Sequence, residues 1–427
     1  MSWRPNFGRL WRDREFVTFW SAQTISEFGD RISELAMPLI AVTLLDATPF
    51  EVGLLTAAVW LPNLVSLFIG SWVDQQRNKR RLMIAADLFR LLVLLSLPIA
   101  YWLDALTLYQ LYAIALLTGT AHAVFNTAYA AFFVRLVARQ DYLEANSKLS
   151  ATRSLSFMAG PAVGGILVQL LTAPLAVLVD ALSFVISALQ IGRLEVETPP
   201  PEESDAPLLR RAGEGMRYLL THPYLGSSLG CATTVNFFNF MGSALLILYA
   251  SRYLELSAGV IGLALGIGAT GGLLGAILAT PLARWLGVGR LIAIATVVFP
   301  AAMAGVAFAS GPFWLRTVEF AAAEFVATFS VMCFDIPLGA LQTSVTSESM
   351  RSRVSGAFIT INYGVRPFGA VLGGVLGALI GPRETLLVSA VGGIFAVLWL
   401  LRSPILKVRS IEALQAEINS EAAVRPS

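Results

Sequence analysis

Apolar residues occur along this chain in long blocks, separated by charged or Pro/Gly-rich punctuation. Each block approaches the ~20 residues a helix needs to cross ~30 Å of hydrocarbon. Twelve membrane helices are predicted, beginning near residues 16, 51, 82, 107, 154, 174, 225, 258, 289, 313, 354 and 384. The division between the fifth and sixth rests on little more than Thr172-Ala173-Pro174.

One long polar stretch, Gly192 to Pro223, interrupts the pattern near the middle. Its Pro199-Pro200-Pro201-Glu202-Glu203-Ser204-Asp205 segment is too polar and Pro-rich to fold alone and reads as a linker. Leu209, Ala212, Met216 and Leu219 then fall at helical spacing opposite Arg210, Arg211 and Arg217, which predicts a helix lying in the interface. The expected organisation is an N-terminal segment 1–15, a six-helix bundle 16–192, a linker 193–224, a second six-helix bundle 225–402 and a tail 403–427.

Composition strengthens this picture. Of 427 residues 56% are hydrophobic and 14% charged, with mean hydropathy +0.70; soluble domains carry about 25% charged residues. A net charge of only +2 leaves no basic footprint for nucleic acid. Cys231 and Cys333 fall inside apolar blocks, giving neither a disulfide framework nor a metal pair. The start of the chain, with Trp3, Arg4, Arg9, Trp11, Arg12 and Arg14, reads as an interfacial lead-in to an uncleaved first span.

The placement of charge orients the helices, because short loops rich in Lys and Arg stay cytoplasmic. Alternate connections hold Arg77, Lys79, Arg80 and Arg81, then Arg135, Arg139, Lys148 and Arg153, with further clusters from Arg193 to Arg409. The opposite connections hold only Arg252, Arg316 and Arg383. A multi-pass protein of the cell (inner or plasma) membrane with both termini cytoplasmic is expected.

The halves repeat faintly: Gly160-Pro161-Ala162-Val163-Gly164-Gly165 in the fifth span is echoed by Pro367 to Gly374 in the eleventh, and Asp74 to Leu82 by Ala283 to Leu291. Parallel repeats of this kind place a substrate site between bundles near the bilayer midplane. At Gly70-Ser71-Trp72-Val73-Asp74 and the basic run through Arg81, the chain resembles the major facilitator superfamily, in particular its macrolide-efflux and enterobactin-exporter-like permeases. Glu144 to Leu149, the Gly160-Pro161-x-x-Gly164-Gly165 run and Val179 to Phe184 add to the resemblance, which spans about residues 16 to 402. Gln75 departs from it, standing where an Arg is usual. The resemblance implies an all-α fold of two six-helix bundles with helices one, four, seven and ten around a central cavity.

Ionisable groups at membrane depth are expensive and tend to face a cavity or a partner. The first span has Glu27, Asp30, Arg31 and Glu34 on one stripe. Arg31 can pair with Glu27 or Glu34, leaving a carboxylate in excess, and burial favours its neutral acid. Asp30 is the first choice for a proton carrier and Glu34 the second, against the alternative of a static network that fixes packing.

Candidate cavity residues are His122 and Asn126 on the fourth span, Asn236, Asn239 and Phe240 on the seventh, and Glu324 and Asp335 on the tenth, where Thr328 and Met332 share the spacing. A hydrogen-bonded packing role is the leading expectation for His122. Gly70, Asp74, Arg77, Arg80, Arg81, Asp87 and Arg90 are candidates for a conformational latch: Gly70 by admitting a close neighbour, Asp74 by accepting from basic groups or a helix N-terminus. Asp87 and Arg90, near the cytoplasmic end of the third span, can pair with each other or with the loop. Asp180 reads as bonding a neighbour, and Arg366 as contacting an acid or an anionic substrate.

No G-x-x-x-x-G-K-[ST] phosphate loop is present, so a gradient is the expected energy source. The function expected is a proton-coupled exporter of an amphiphilic small molecule, not an enzyme and without a cofactor. Its partners would be substrate, protons and lipid, with no nucleic acid, and the chain a monomer. An importer or passive facilitator is the alternative, ahead of a receptor, a scaffold or an intramembrane enzyme.

Overall fold

Long apolar blocks leave a chain no way to satisfy its backbone in hydrocarbon except helices or closed barrels, and the computed structural model is helical throughout residues 8–195 and 208–416, the residues it describes. Trp3, Arg4, the Pro199 to Asp205 linker and the end of the tail lie outside them. In chain order the helices are α1 (Arg14–Leu39), α2 (Pro49–Trp60), α3 (Ser66–Gln75), α4 (Lys79–Trp102), α5 (Leu108–Leu136), α6 (Tyr142–Leu171), α7 (Ala173–Gly192) and α8 (Leu208–Thr221). They continue with α9 (Pro223–Arg252), α10 (Ala258–Leu286), α11 (Val288–Phe308), α12 (Phe313–Val345), α13 (Arg351–Gly364), α14 (Arg366–Leu379), α15 (Pro382–Ile394) and α16 (Val397–Leu401).

Each predicted span coincides with helix. Among the described residues nine are long and apolar enough to cross a membrane, or ten with the bent pair formed by α2 and α3. The others fall short for visible reasons. Charges crowd α1, and α13 and α14 meet at a break where Pro367, early in α14, cannot donate to the preceding turn. Polar caps set the starts: Asp13 accepts from the amides of Glu15 and Phe16 (3.0 and 3.3 Å) before α1, and Asn78 from that of Arg81 (2.9 Å) before α4. The fifth span starts at Tyr142 rather than near 154, because a Lys148–Glu144 pair (3.3 Å) one turn apart sustains a polar helical extension that hydrophobicity alone does not reveal.

The described residues cluster into two compact units. Among the described residues, unit 1 comprises 8–47, 61–195 and 257–266, and unit 2 comprises 48–60, 208–256 and 267–416. The sequence halves thus each give a segment to the other's unit. In unit 1 the start of α10 lies against α6, with Gly262 on the backbone of Pro161 and Gly165; in unit 2, α2 lies against α14, with Gly53 on Ala370 and Gly374. A side chain at Gly262 or Gly53 would collide with backbone, so the repeated glycines of the sequence mark helix pairs in backbone contact. The unit 1 core is aromatic, around Phe16, Phe19, Phe125, Phe132 and Phe133; that of unit 2 is mainly aliphatic, around Leu229, Ile292, Leu341 and Leu400.

Candidate functional site

In unit 1, α1, α4 and α7 bring three aspartates around one arginine. Arg90 of α4 donates to Oδ1 of Asp30 on α1, and its other terminal nitrogen lies 3.8 Å from Asp87 Oδ1. The guanidinium carbon sits 3.9 Å from the centre of the Phe184 ring on α7. Asp180, also on α7, accepts from Ser33 of α1 and, at 3.4 Å, from Ser183. Asp87 and Asp180 are 0% and 1% exposed and Arg90 4%, whereas the Asp30 side chain retains 25%. Neither oxygen of Asp87 accepts a hydrogen bond among the described residues.

Gly29 makes this assembly possible. A Cβ there would run into the Asp180 carboxylate and the Ser183 hydroxyl, so only glycine lets α7 set its acid against the α1 backbone. Asp87 and Arg90 therefore belong to a buried network rather than the cytoplasmic end of their span; α4 begins at Lys79, which puts Arg90 at its middle. Asp180 is the residue the sequence undervalued. Its signal was available, since an acid inside an apolar membrane helix is a functional candidate in itself.

The other α1 charges turn away from this network. Arg31 pairs with Glu34 at 2.6 Å, and Glu27 takes Arg153 of α6 at 3.5 Å instead of Arg31. Glu27, Asp30 and Glu34 thus each have a cation, and the surplus carboxylates expected on α1 are Asp87 and Asp180 instead. At the signature loop, Lys79 donates to the Val73 and Asp74 carbonyls and Arg80 to that of Leu194, closing the turn on itself. Asp74, Arg77 and Arg81 are exposed. A side chain added to Gly70 would meet no atom within 4 Å, so the close neighbour expected there is absent among the described residues. His122 and Asn126 lie one turn apart on α5, both exposed, and His122 makes no hydrogen bond among the described residues; it is not the bonded packing residue expected.

In unit 2 the signal is aromatic. The Arg366 guanidinium carbon lies 3.7, 4.2 and 4.8 Å from the ring centres of Tyr363, Trp60 and Phe240. Its Nε donates to Asn236 Oδ1 at 3.1 Å, and Asn236 donates to Asn362 Oδ1 at 2.9 Å. Asn236 and Phe240 are therefore brought together as expected. Asn239 diverges, lining a cavity of about 10 Å³ with Phe299, Pro300 and Ser389, at most one water in size.

The tenth-span stripe also divides. Glu324, Thr328 and Met332 pack on a glycine row of α10, Gly268, Gly271, Gly272 and Gly275, with Thr328 donating to the Gly268 carbonyl at 2.6 Å. Spacing alone could not separate a water-lined polar stripe from one that fits a glycine groove; only Asp335, exposed, stands clear of it. No group of three His, Cys, Asp or Glu among the described residues is placed to hold a metal ion.

Membrane-length helices enclosing buried ion pairs are the build of a polytopic membrane protein. The chain belongs to the transmembrane secretion effector family of the major facilitator superfamily, whose profile matches residues 9–424. It is 25% identical over 407 residues to an enterobactin exporter, EntS, of Citrobacter koseri, covering 94% of each chain, and 25% identical over 397 residues to EntS of Shigella flexneri, covering 92% of each. Among solved structures it resembles a bacterial homologue of the iron transporter ferroportin in its inward-facing state, with TM-score 0.72 and 15% identity over 91% of this chain and 98% of that one. The fold is that of the major facilitator superfamily, and the chain is a multi-pass membrane transporter of small molecules rather than an enzyme.

Proposed function

We propose that this transporter is a proton-coupled exporter of an amphiphilic small molecule, working by alternating access in a cell membrane with both termini cytoplasmic. The observation that carries the reading is the ratio in unit 1 of three aspartates to one arginine, with Asp87 and Asp180 almost fully buried. One guanidinium cannot neutralise three carboxylates, and an uncompensated buried charge is costly. Protons relieve the excess. Asp30, the partly exposed member, is the contact with water: protonating it frees Arg90 for Asp87 or Asp180, and losing that proton draws Arg90 back. Such an exchange gives a membrane helix trio two discrete arrangements that proton uptake can bias.

One proton moving through ~100 mV releases about 2.3 kcal/mol, enough for roughly a fiftyfold concentration ratio of a neutral cargo. Export is supported by the names of the enterobactin exporters it resembles. The ring-lined Arg366, with no ion-pair partner among the described residues, supports a cargo with an aromatic and anionic part, siderophore-like in character.

The test is cargo movement in proteoliposomes under an imposed pH gradient, with enterobactin and a macrolide as trial cargoes. Asp30→Asn, Asp87→Asn and Asp180→Asn should each abolish gradient-driven accumulation while leaving cargo exchange at equal pH. Undiminished gradient-driven accumulation in all three variants would overturn the assignment. Equilibration that ignores the gradient in the unaltered protein would make it a facilitator.

A further inference from the structure

A second acid in the molecule lies outside that network. Glu324, on α12 in unit 2, is 8% exposed and makes neither a hydrogen bond nor an ion pair among the described residues; its Oε1 is buried with no partner at all. Its Cβ sits against Gly268 of α10, where a glycine leaves room for the side chain and offers no donor from one of its own. The nearest hydroxyl along the stripe, Thr328, already donates its proton to the Gly268 carbonyl. On the α11 side, Ala323 faces Gly305.

The helices packed on α12, namely α9, α10 and α11, each carry a single charge near one end, and on α9 it is Arg252, the last residue of the helix. The one charge of α10, Arg284, lies sixteen residues, about 24 Å of helix, beyond Gly268. Arg290 of α11 lies about 22 Å from the level of Gly305. On α12 itself, Arg316 is engaged with Glu255 at 3.2 Å and Glu319 accepts from the Ser310 amide at 2.9 Å, while Asp335 is three turns away and of the wrong sign. An ionised carboxylate in these surroundings, almost wholly buried, has neither a donor nor a cation among the described residues, and such a group takes up a proton rather than stay charged.

We infer that Glu324 is a second proton-binding site, separate from the aspartate network, and that it carries its proton in the arrangement described here. Alanine or leucine would fill the groove without this cost, so the carboxyl is a costly choice for packing alone. Its small residual exposure gives protons a way in when α12 shifts on the glycine row. Its part in turnover rests on the proton-coupled reading above: at least two protons accompany each cycle, one exchanged in each unit.

The protonation itself can be tested without cargo or gradient, so its failure is distinct from that of proton-coupled export. The full chain in lipid nanodiscs is examined by infrared difference spectroscopy across the neutral pH range, with the proton as the only probe. The unaltered protein should show a protonated carboxyl band that shifts when glutamate is carbon-13 labelled, and Glu324→Gln should lose that band and bind one proton fewer on back-titration. Glu324→Asp should keep a band at a shifted frequency. A spectrum without a label-sensitive carboxyl band, or a proton count unchanged in Glu324→Gln, would refute the inference; the labelling of unaltered protein decides it even where a variant does not insert.

Discussion

Arg90 holds Asp30 across the α1–α4 contact while its guanidinium lies over Phe184 of α7, so one side chain ties three helices of unit 1 together. Removing a partner from a buried ion pair leaves charge without compensation and costs about 3–5 kcal/mol. Arg90→Ala should therefore lower the melting temperature in detergent markedly, and Arg90→Lys should recover only part of it, since a lysine lacks the planar fork that serves two carboxylates and a ring at once. Adding Asp30→Ala to Arg90→Ala should recover only part of the loss, because Asp87 and Asp180 stay buried without the arginine, and a double-mutant cycle measures the coupling.

Gly29 is the steric condition for Asp180. In Gly29→Ala the new methyl meets the Asp180 carboxylate and the Ser183 hydroxyl, and overpacking of this kind costs about 1–3 kcal/mol. The thermal shift should be clear, and combining Gly29→Ala with Asp180→Ala should relieve part of it, the Ser183 contact remaining. Equal destabilisation with and without Asp180 would show that the methyl clashes elsewhere.

These two residues also show where the sequence stopped being legible. The spans were readable because twenty apolar residues admit few alternatives, and the charges of α1 stood out because such charges are rare at that depth. The partners were not readable: Arg31 is the near neighbour of Asp30 in sequence, yet Asp30 pairs with an arginine sixty residues away because α1 and α4 both pack on α7. Asp180 gained its place through a glycine on another helix. The Glu324, Thr328, Met332 stripe read as water-facing because polar spacing looks the same whether it meets a cavity or a glycine groove.

Arg366 offers a planar cation between aromatic faces, and a lysine in its place would give a point charge without stacking. Arg366→Lys should weaken binding of whichever trial cargo the reconstituted protein moves by about tenfold, roughly 1.4 kcal/mol, and Trp60→Ala should do the same with less effect on melting than Arg90→Ala. Titration calorimetry in detergent reads the affinity directly. Unchanged binding in both variants would remove the cage from the cargo site.

His222 stands just outside α9, at its N-cap, where it makes no capping bond, and burial holds its imidazole below the usual histidine range. A depressed histidine resists charging in the fold, so its contribution is intact above the unfolded value and is lost as pH falls through the acid range. His222→Asn should remove that acid-side loss. It should also add about 0.5–2 kcal/mol at neutral pH, because an asparagine caps a helix start far better; melting curves at two pH values separate the effects.

The α1 acids differ in setting, and transport should rank them. Glu34 has a side chain 61% exposed and pairs with Arg31 one turn back, while Glu27 faces an Arg153 that is 62% exposed. Pairs so open to their surroundings contribute about 0.2–1 kcal/mol, so Glu34→Gln and Glu27→Gln should leave melting nearly unchanged and gradient-driven accumulation largely intact. Asp30→Asn removes the acid that holds a buried arginine and should abolish accumulation. The three variants, reconstituted at equal density and assayed under one pH gradient, give the ranking directly. If Glu34→Gln abolished accumulation and Asp30→Asn did not, the coupling acid would be on the Arg31 side of α1, and the network around Arg90 would be a packing device only.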